Sequence, residues 1–129
     1  MGESVLVDTG MPGGRDPGRT HHVATKIAGL KQIDHLVTTH FHIDHFGGAA
    51  ELSELMPIRN LHDNGIPERD PDGRSNTTFP LRIKPYRNMK VGKRHVIKPG
   101  YLFPLLQADG TVPLRIRCVA AQRKFIPVT

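Results

Sequence analysis

The 129-residue chain predicts a mixed α/β layered fold, and three observations predict it. Short β-branched or apolar runs recur at residues 4–8, 33–39 and 58–61, the segments between them carry the apolar spacing of amphipathic helices, and beyond residue 90 the chain turns to further strand-like runs. Strand, helix, strand, helix, strand and then a series of strands is the order of a layered α/β protein. The length suits one domain over residues 1–129, and no pattern asks for a second.

Taken in order, residues 4–8 suit a buried strand that runs into a tight Asp-Thr-Gly turn. Gly and Pro are too dense in residues 11–18 for regular structure, so a loop is expected there. Thr20 is placed to cap a helix whose apolar face is Val23, Ile27 and Leu30 and whose end Gly29 weakens. Residues 33–39 read as the second strand. Ala49, Leu52, Leu55 and Met56 mark a short amphipathic helix stopped at Pro57, and residues 58–61 read as a third strand closing at His62-Asp-Asn-Gly65. An exposed loop is expected over 66–78, and 79–90 are balanced between helix and coil because Pro80 and Pro85 interrupt them. Strands are then expected at 94–98, 101–106, 113–120 and around 124–127, with turns at Pro99-Gly100 and Asp109-Gly110.

Composition narrows the classes. Apolar residues make up 37% and aromatics 5% of the chain with no Trp, while Gly (13) and Pro (11) are plentiful, which describes a loop-rich α/β protein with a lean core. The single cysteine, Cys118, excludes an internal disulfide framework and a Cys-based structural zinc knot. No apolar run approaches the ~18 residues of a membrane span, and the start lacks the basic flank and apolar stretch of a signal peptide, so the chain reads as soluble with its compartment open. The net charge is +6, with basic residues gathered at 82–98 and again at Arg115, Arg117, Arg123 and Lys124. Such a surface favours anionic partners, nucleic acid among them, but without interleaved aromatics it reads first as a solvated face.

The chemistry is concentrated in Thr39-His-Phe-His-Ile-Asp-His-Phe-Gly-Gly48, immediately beyond the second strand. In extended backbone His40 and His42 point the same way and can converge on one ion while Phe41 turns into the protein. Asp44 and His45 follow where the chain turns toward a helix, and Gly47-Gly48 lets the backbone pass closely around the site. Imidazole with carboxylate and no thiolate suits zinc, or else manganese or iron, in an open rather than a closed structural site. An open position can hold water and bring its pKa toward ~7, which makes hydrolysis the natural reaction. His21, His22 and His35 read as ordinary surface polar residues.

On these residues the chain resembles the metallo-β-lactamase-fold hydrolases, whose signature is His-x-His-x-Asp-His followed by Gly-Gly; Val5-Leu-Val-Asp-Thr-Gly10 resembles the strand by which that family enters its site. The resemblance covers roughly residues 3–65. It implies an αββα sandwich with metals held at one edge, His40 and His42 on a first zinc, Asp44 and His45 on a second with Asp44 as a catalytic residue, and Asp8 behind the ligands holding their geometry. The family's third histidine for the first metal, its bridging aspartate and its late histidine have no counterpart in the sequence: His62 and His95 lack the right surroundings and Asp109 looks like a hairpin residue. The missing leading hairpin and the end on a strand-like run lead to the expectation of a truncated domain, part of an αββα sandwich. The implied activity is a zinc-dependent hydrolase attacking an ester, amide, thioester or phosphodiester of a small-molecule substrate. The alternatives are a nucleic-acid-processing phosphodiesterase of the same fold and a non-catalytic metal-binding interaction module.

Overall fold

The computed structural model describes residues 2–74, 78–107, 110 and 113–127. Its centre is a parallel sheet of four strands in sequential order, β1 (Val5–Val7), β2 (Ile33–Val37), β3 (Ile58–Asp63) and β4 (Lys93–Val96). Parallel neighbours need crossovers, and helices supply them: α1 (Arg15–His22) between β1 and β2, α2 (Ile43–Phe46) and α3 (Ala49–Leu55) between β2 and β3, and α4 (Thr78–Asn88) between β3 and β4. The α/β class expected from the sequence is therefore the observed one. Register sets Leu6 against Leu36 and Leu36 against Leu61, a row in contact with the main core of Phe41, Phe46, Ala49, Leu52, Phe79, Ile83 and Tyr86. Alternation sends His35, His62 and His95 to the opposite side, where Tyr101 and Phe103 from the later chain lie against His62.

Several expectations are corrected here. The first helix begins at Arg15, inside the expected loop, because Pro17 falls in the first turn where its missing N–H would have no partner in any case. Thr20 is consequently inside the helix and caps nothing. The helix then widens into a π-helical segment, Val23–Ile27, and this change of register turns Val23 and Ile27 outward, 52% and 72% exposed, while Ala24 is buried in their place. Residues 78–88 resolve to helix despite two prolines: Pro80 lies in the first turn, and Pro85 has no N–H to give to the preceding turn while Phe79, Ile83 and Tyr86 hold the helix down by burial. Arg94, within the basic segment 82–98, closes that helix, its guanidinium donating to the carbonyls of Tyr86 (2.8 Å), Arg87 (3.1 Å) and Met89 (3.2 Å).

The expected run of late strands is reduced. Beyond β4 the described residues form only the short antiparallel pair β5 (Ala120–Ala121) and β6 (Lys124–Phe125) and a single bridge between Leu102 and Arg117. Pro104 and Pro113 remove backbone donors there, so the pairing of the two segments rests on a few bonds, Phe103 N to Ile116 O (3.0 Å) and Cys118 N to Tyr101 O (2.8 Å), while Tyr101, Phe103, Ile116 and Cys118 pack together in a second small core. The expected Asp109 turn lies outside the described residues.

Candidate metal centre

Parallel strands deliver their carboxyl ends to one edge of the sheet, and the motif lies on that edge. β1 is followed directly by Asp8, whose amide bonds to Val37 O (2.8 Å), and the next amide, Thr9, bonds to His45 O (2.8 Å). The two strand ends are thus tied together before any side chain is considered. Asp8 has φ 59°, a left-handed conformation that aspartate tolerates better than most residues, and this turn curls its carboxylate back over the end of β2. After β2 the chain stays extended through His42 (φ −87°, ψ 144°), so Phe41 enters the core against Tyr86 and Phe46 while His40 and His42 face outward with ring centroids 4.9 Å apart. α2 then turns His45 back, and its ring lies 3.8 Å from that of His40.

That return needs Gly47-Gly48. A Cβ on Gly47 would collide with the carbonyl of Ile43 and with Pro12, and one on Gly48 with the carbonyl of Thr9. The pair therefore serves close backbone approach, as the sequence suggested.

One carboxylate organises much of the edge. Asp8 Oδ1 accepts the Thr39 amide (2.8 Å), and Oδ2 lies 2.7 Å from the Thr39 hydroxyl and 2.8 Å from His45 Nδ1. Burial on its own would raise this carboxyl, but the Thr39 amide, His45 and the Thr39 hydroxyl outweigh it and hold the group ionised below the usual range. An ionised carboxylate only accepts, so His45 donates from Nδ1, and in the neutral ring the lone pair is then on Nε2. The Thr39 hydroxyl gives its single hydrogen to Asp8, so its contact with His40 Nδ1 (2.9 Å) is one in which His40 donates, leaving the lone pair on His40 Nε2. Burial, reinforced by His45 and His42 alongside, lowers the His40 pKa and keeps that ring neutral at neutral pH.

Asp44 is the most open of the four motif residues, with its side chain 63% exposed and Oδ1 3.6 Å from His45 Nε2. His42 Nε2 lies 2.8 Å from Asp72 Oδ1, a partner that the sequence did not single out. A depression of about 380 Å³ opens beside His42 and Asp44, floored by Phe41, Phe46 and Phe79 and edged by Arg74 and Arg82. Among the described residues no group of three or more His, Cys, Asp or Glu side chains is drawn together tightly enough to enclose a metal ion. The donor types fit one all the same: imidazole nitrogens of His40, His42 and His45 beside the exposed carboxylate of Asp44 at one edge of the sheet.

The model of the metallo-beta-lactamase superfamily matches residues 1–117. The chain belongs to that superfamily. Its members are mostly hydrolases and typically bind zinc, and the four-stranded parallel sheet with its helices is consistent with part of the metallo-beta-lactamase fold. No curated protein and no solved structure gives a significant match to the chain. No helix among the described residues is long and apolar enough to cross a membrane.

Three further histidines lie outside the motif on β2, β3 and β4, and one of them, His35, is not what the sequence suggested. His35, expected at the surface, is 2% exposed, with Nε2 3.0 Å from Glu3 Oε1 and Nδ1 3.0 Å from His62 Nε2. His62 is fully buried, reaches Tyr101 OH through Nδ1 (3.3 Å) and stacks on His95. His95 meets Asn60 Oδ1 through Nε2 (3.0 Å). All three occupy the same face of the sheet by register, and that periodicity was readable once the strands were aligned.

Proposed function

We propose that this chain carries the metal-binding edge of a zinc-dependent hydrolase that cleaves an ester, amide, thioester or phosphodiester bond in a small molecule. His40, His42, Asp44 and His45 are the ligands, grouped as His40 with His42 and Asp44 with His45, and Asp44 is also the residue nearest the reaction. Zinc bound there supplies a Lewis acid that activates water and polarises the bond to be cleaved. The observation that carries the reading is the Asp8 clamp. One carboxylate, through His45 directly and His40 by way of Thr39, sets two imidazoles in tautomers whose remaining nitrogens are free to coordinate. Asp8 also binds the ends of β1 and β2 to each other, so the ligands rest on sheet rather than on an independent loop.

The depression beside His42 and Asp44 is where a substrate reaches the ligands, with aromatic floor for its apolar part. Four ligands divided over two ions leave each incompletely held, so zinc binds this chain with a dissociation constant on the order of micromolar rather than nanomolar. Calorimetry with zinc tests the reading. The His42→Ala variant should lose at least about tenfold in affinity, and zinc binding unaffected by that change would overturn the ligand assignment.

A further inference from the structure

Asp8 accounts for two of the three motif imidazoles; His42 lies beyond its reach. The partner of His42 is Asp72, from the loop between β3 and α4, with Oδ1 2.8 Å from Nε2. We propose that Asp72 is the positioning residue of His42, holding its Nε2 as the protonated nitrogen so that Nδ1 is the metal-binding one. The inference rests on the reading of the motif as a zinc site.

Three features of the structure support it. The first is chemistry: a carboxylate accepts and does not donate, so a hydrogen bond from neutral His42 to Asp72 puts the proton on Nε2 and the lone pair on Nδ1. Carboxylate partners of this kind fix ring orientation and raise ligand basicity at metal-binding histidines. The second is that Asp72 is set in place by its own turn, independently of His42. Its amide donates to Asp70 Oδ1 (2.9 Å), the Gly73 amide closes the turn onto Asp70 O (2.9 Å), and Gly73 takes φ 71°. A pre-formed Asx turn lowers the entropy cost of presenting the carboxylate. The third is the parallel with Asp8 and His45: each of two outward-facing motif histidines meets one carboxylate at 2.8 Å through one ring nitrogen, from elements far apart in the chain.

His42 and Asp72 are both open to water, at 45% and 44% side-chain exposure, so the contact is a weaker clamp than the Asp8 one. Two readouts test it. Nitrogen NMR of the imidazoles at about pH 8, where an ordinary histidine is neutral, should show His42 with its proton on Nε2, and Asp72→Ala should return it to a mixture of tautomers. Zinc titration should show Asp72→Ala losing about tenfold in affinity, with Asp72→Asn losing less because the amide oxygen still accepts. Glu68→Gln, which removes a carboxylate from the same loop, should leave affinity within about twofold of the parent. If His42→Ala weakens zinc binding and Asp72→Ala changes neither the tautomer nor the affinity, this inference falls and the zinc site stands. An equal loss in Glu68→Gln would make the effect general electrostatics and would also overturn it. If His42→Ala has no effect on zinc, both the site and its positioning residue fall together.

Discussion

Two groups of three histidines lie close together on the same sheet and do opposite things. His35, His62 and His95 stand on its face, and His40, His42 and His45 stand at its end. In the face group, His35 and His62 have both ring nitrogens occupied. If each ring carries its proton on Nε2, the chain from Tyr101 OH through His62 and His35 to Glu3 closes with a donor at every step and no imidazolium. Neither His35 nor His62 then keeps a lone pair for an ion. In the end group each ring has one nitrogen hydrogen-bonded to a carboxylate or hydroxyl, and among the described residues the other makes no hydrogen bond, Asp44 Oδ1 standing 3.6 Å from His45 Nε2. The comparison teaches that imidazole count alone does not make a candidate metal site; what sets the end group apart is ring nitrogens outside hydrogen bonds beside a carboxylate.

The largest expected effect breaks the face group. Burial, with His95 and His35 nearby, lowers the His62 pKa to about 4. In the unfolded chain the ring titrates near 6.5, so between these values the unfolded state binds the extra proton and stability falls as pH falls. The contribution lost across that window is on the order of 3 kcal/mol. Urea unfolding of His62→Leu should show a protein about 2 kcal/mol less stable at neutral pH, because His35 Nδ1 loses its donor, and much less sensitive to acid between these pH values. An unchanged acid limb would contradict the account of this group. Zinc affinity should be unaffected by the same substitution.

A smaller effect breaks the end group. Asp8→Ala removes the acceptor that fixes His45 and, through Thr39, His40, and should lower zinc affinity by about 10–100-fold. It also leaves alanine in a left-handed conformation, at a cost of roughly 1 kcal/mol in stability. Asp8→Asn separates the two, since asparagine tolerates that backbone and keeps one acceptor oxygen. Smaller again is the loss of about tenfold in zinc affinity expected for Asp72→Ala.

The end group was largely legible in the sequence and the face group was not. His40, His42, Asp44 and His45 sit within six positions, and strand alternation followed by Gly47-Gly48 already told which side chains face out. Local spacing is enough when the candidate ligands share one short stretch of chain. His35 and His62 are separated by 27 residues, and each alone looks like an ordinary polar residue. Only the register of β2 on β3 brings them together, and the partners that permit burial, Glu3 and Tyr101, come from further away still. Asp72 was hidden for the same reason: Asp-Pro-Asp-Gly spells a turn, while its destination depends on how the loop after β3 folds back. The π-helical segment shows a further limit, because an apolar face counted at α-helical spacing fails once the helix widens.

The central claim is that zinc distinguishes the two groups. Titration of zinc into the protein, followed through the imidazole resonances of all eight histidines, tests it most directly. Large shifts should appear at His40, His42 and His45, with His35 and His62 unmoved. Shifts at His35 and His62 instead, or no response from the motif histidines, would contradict the account.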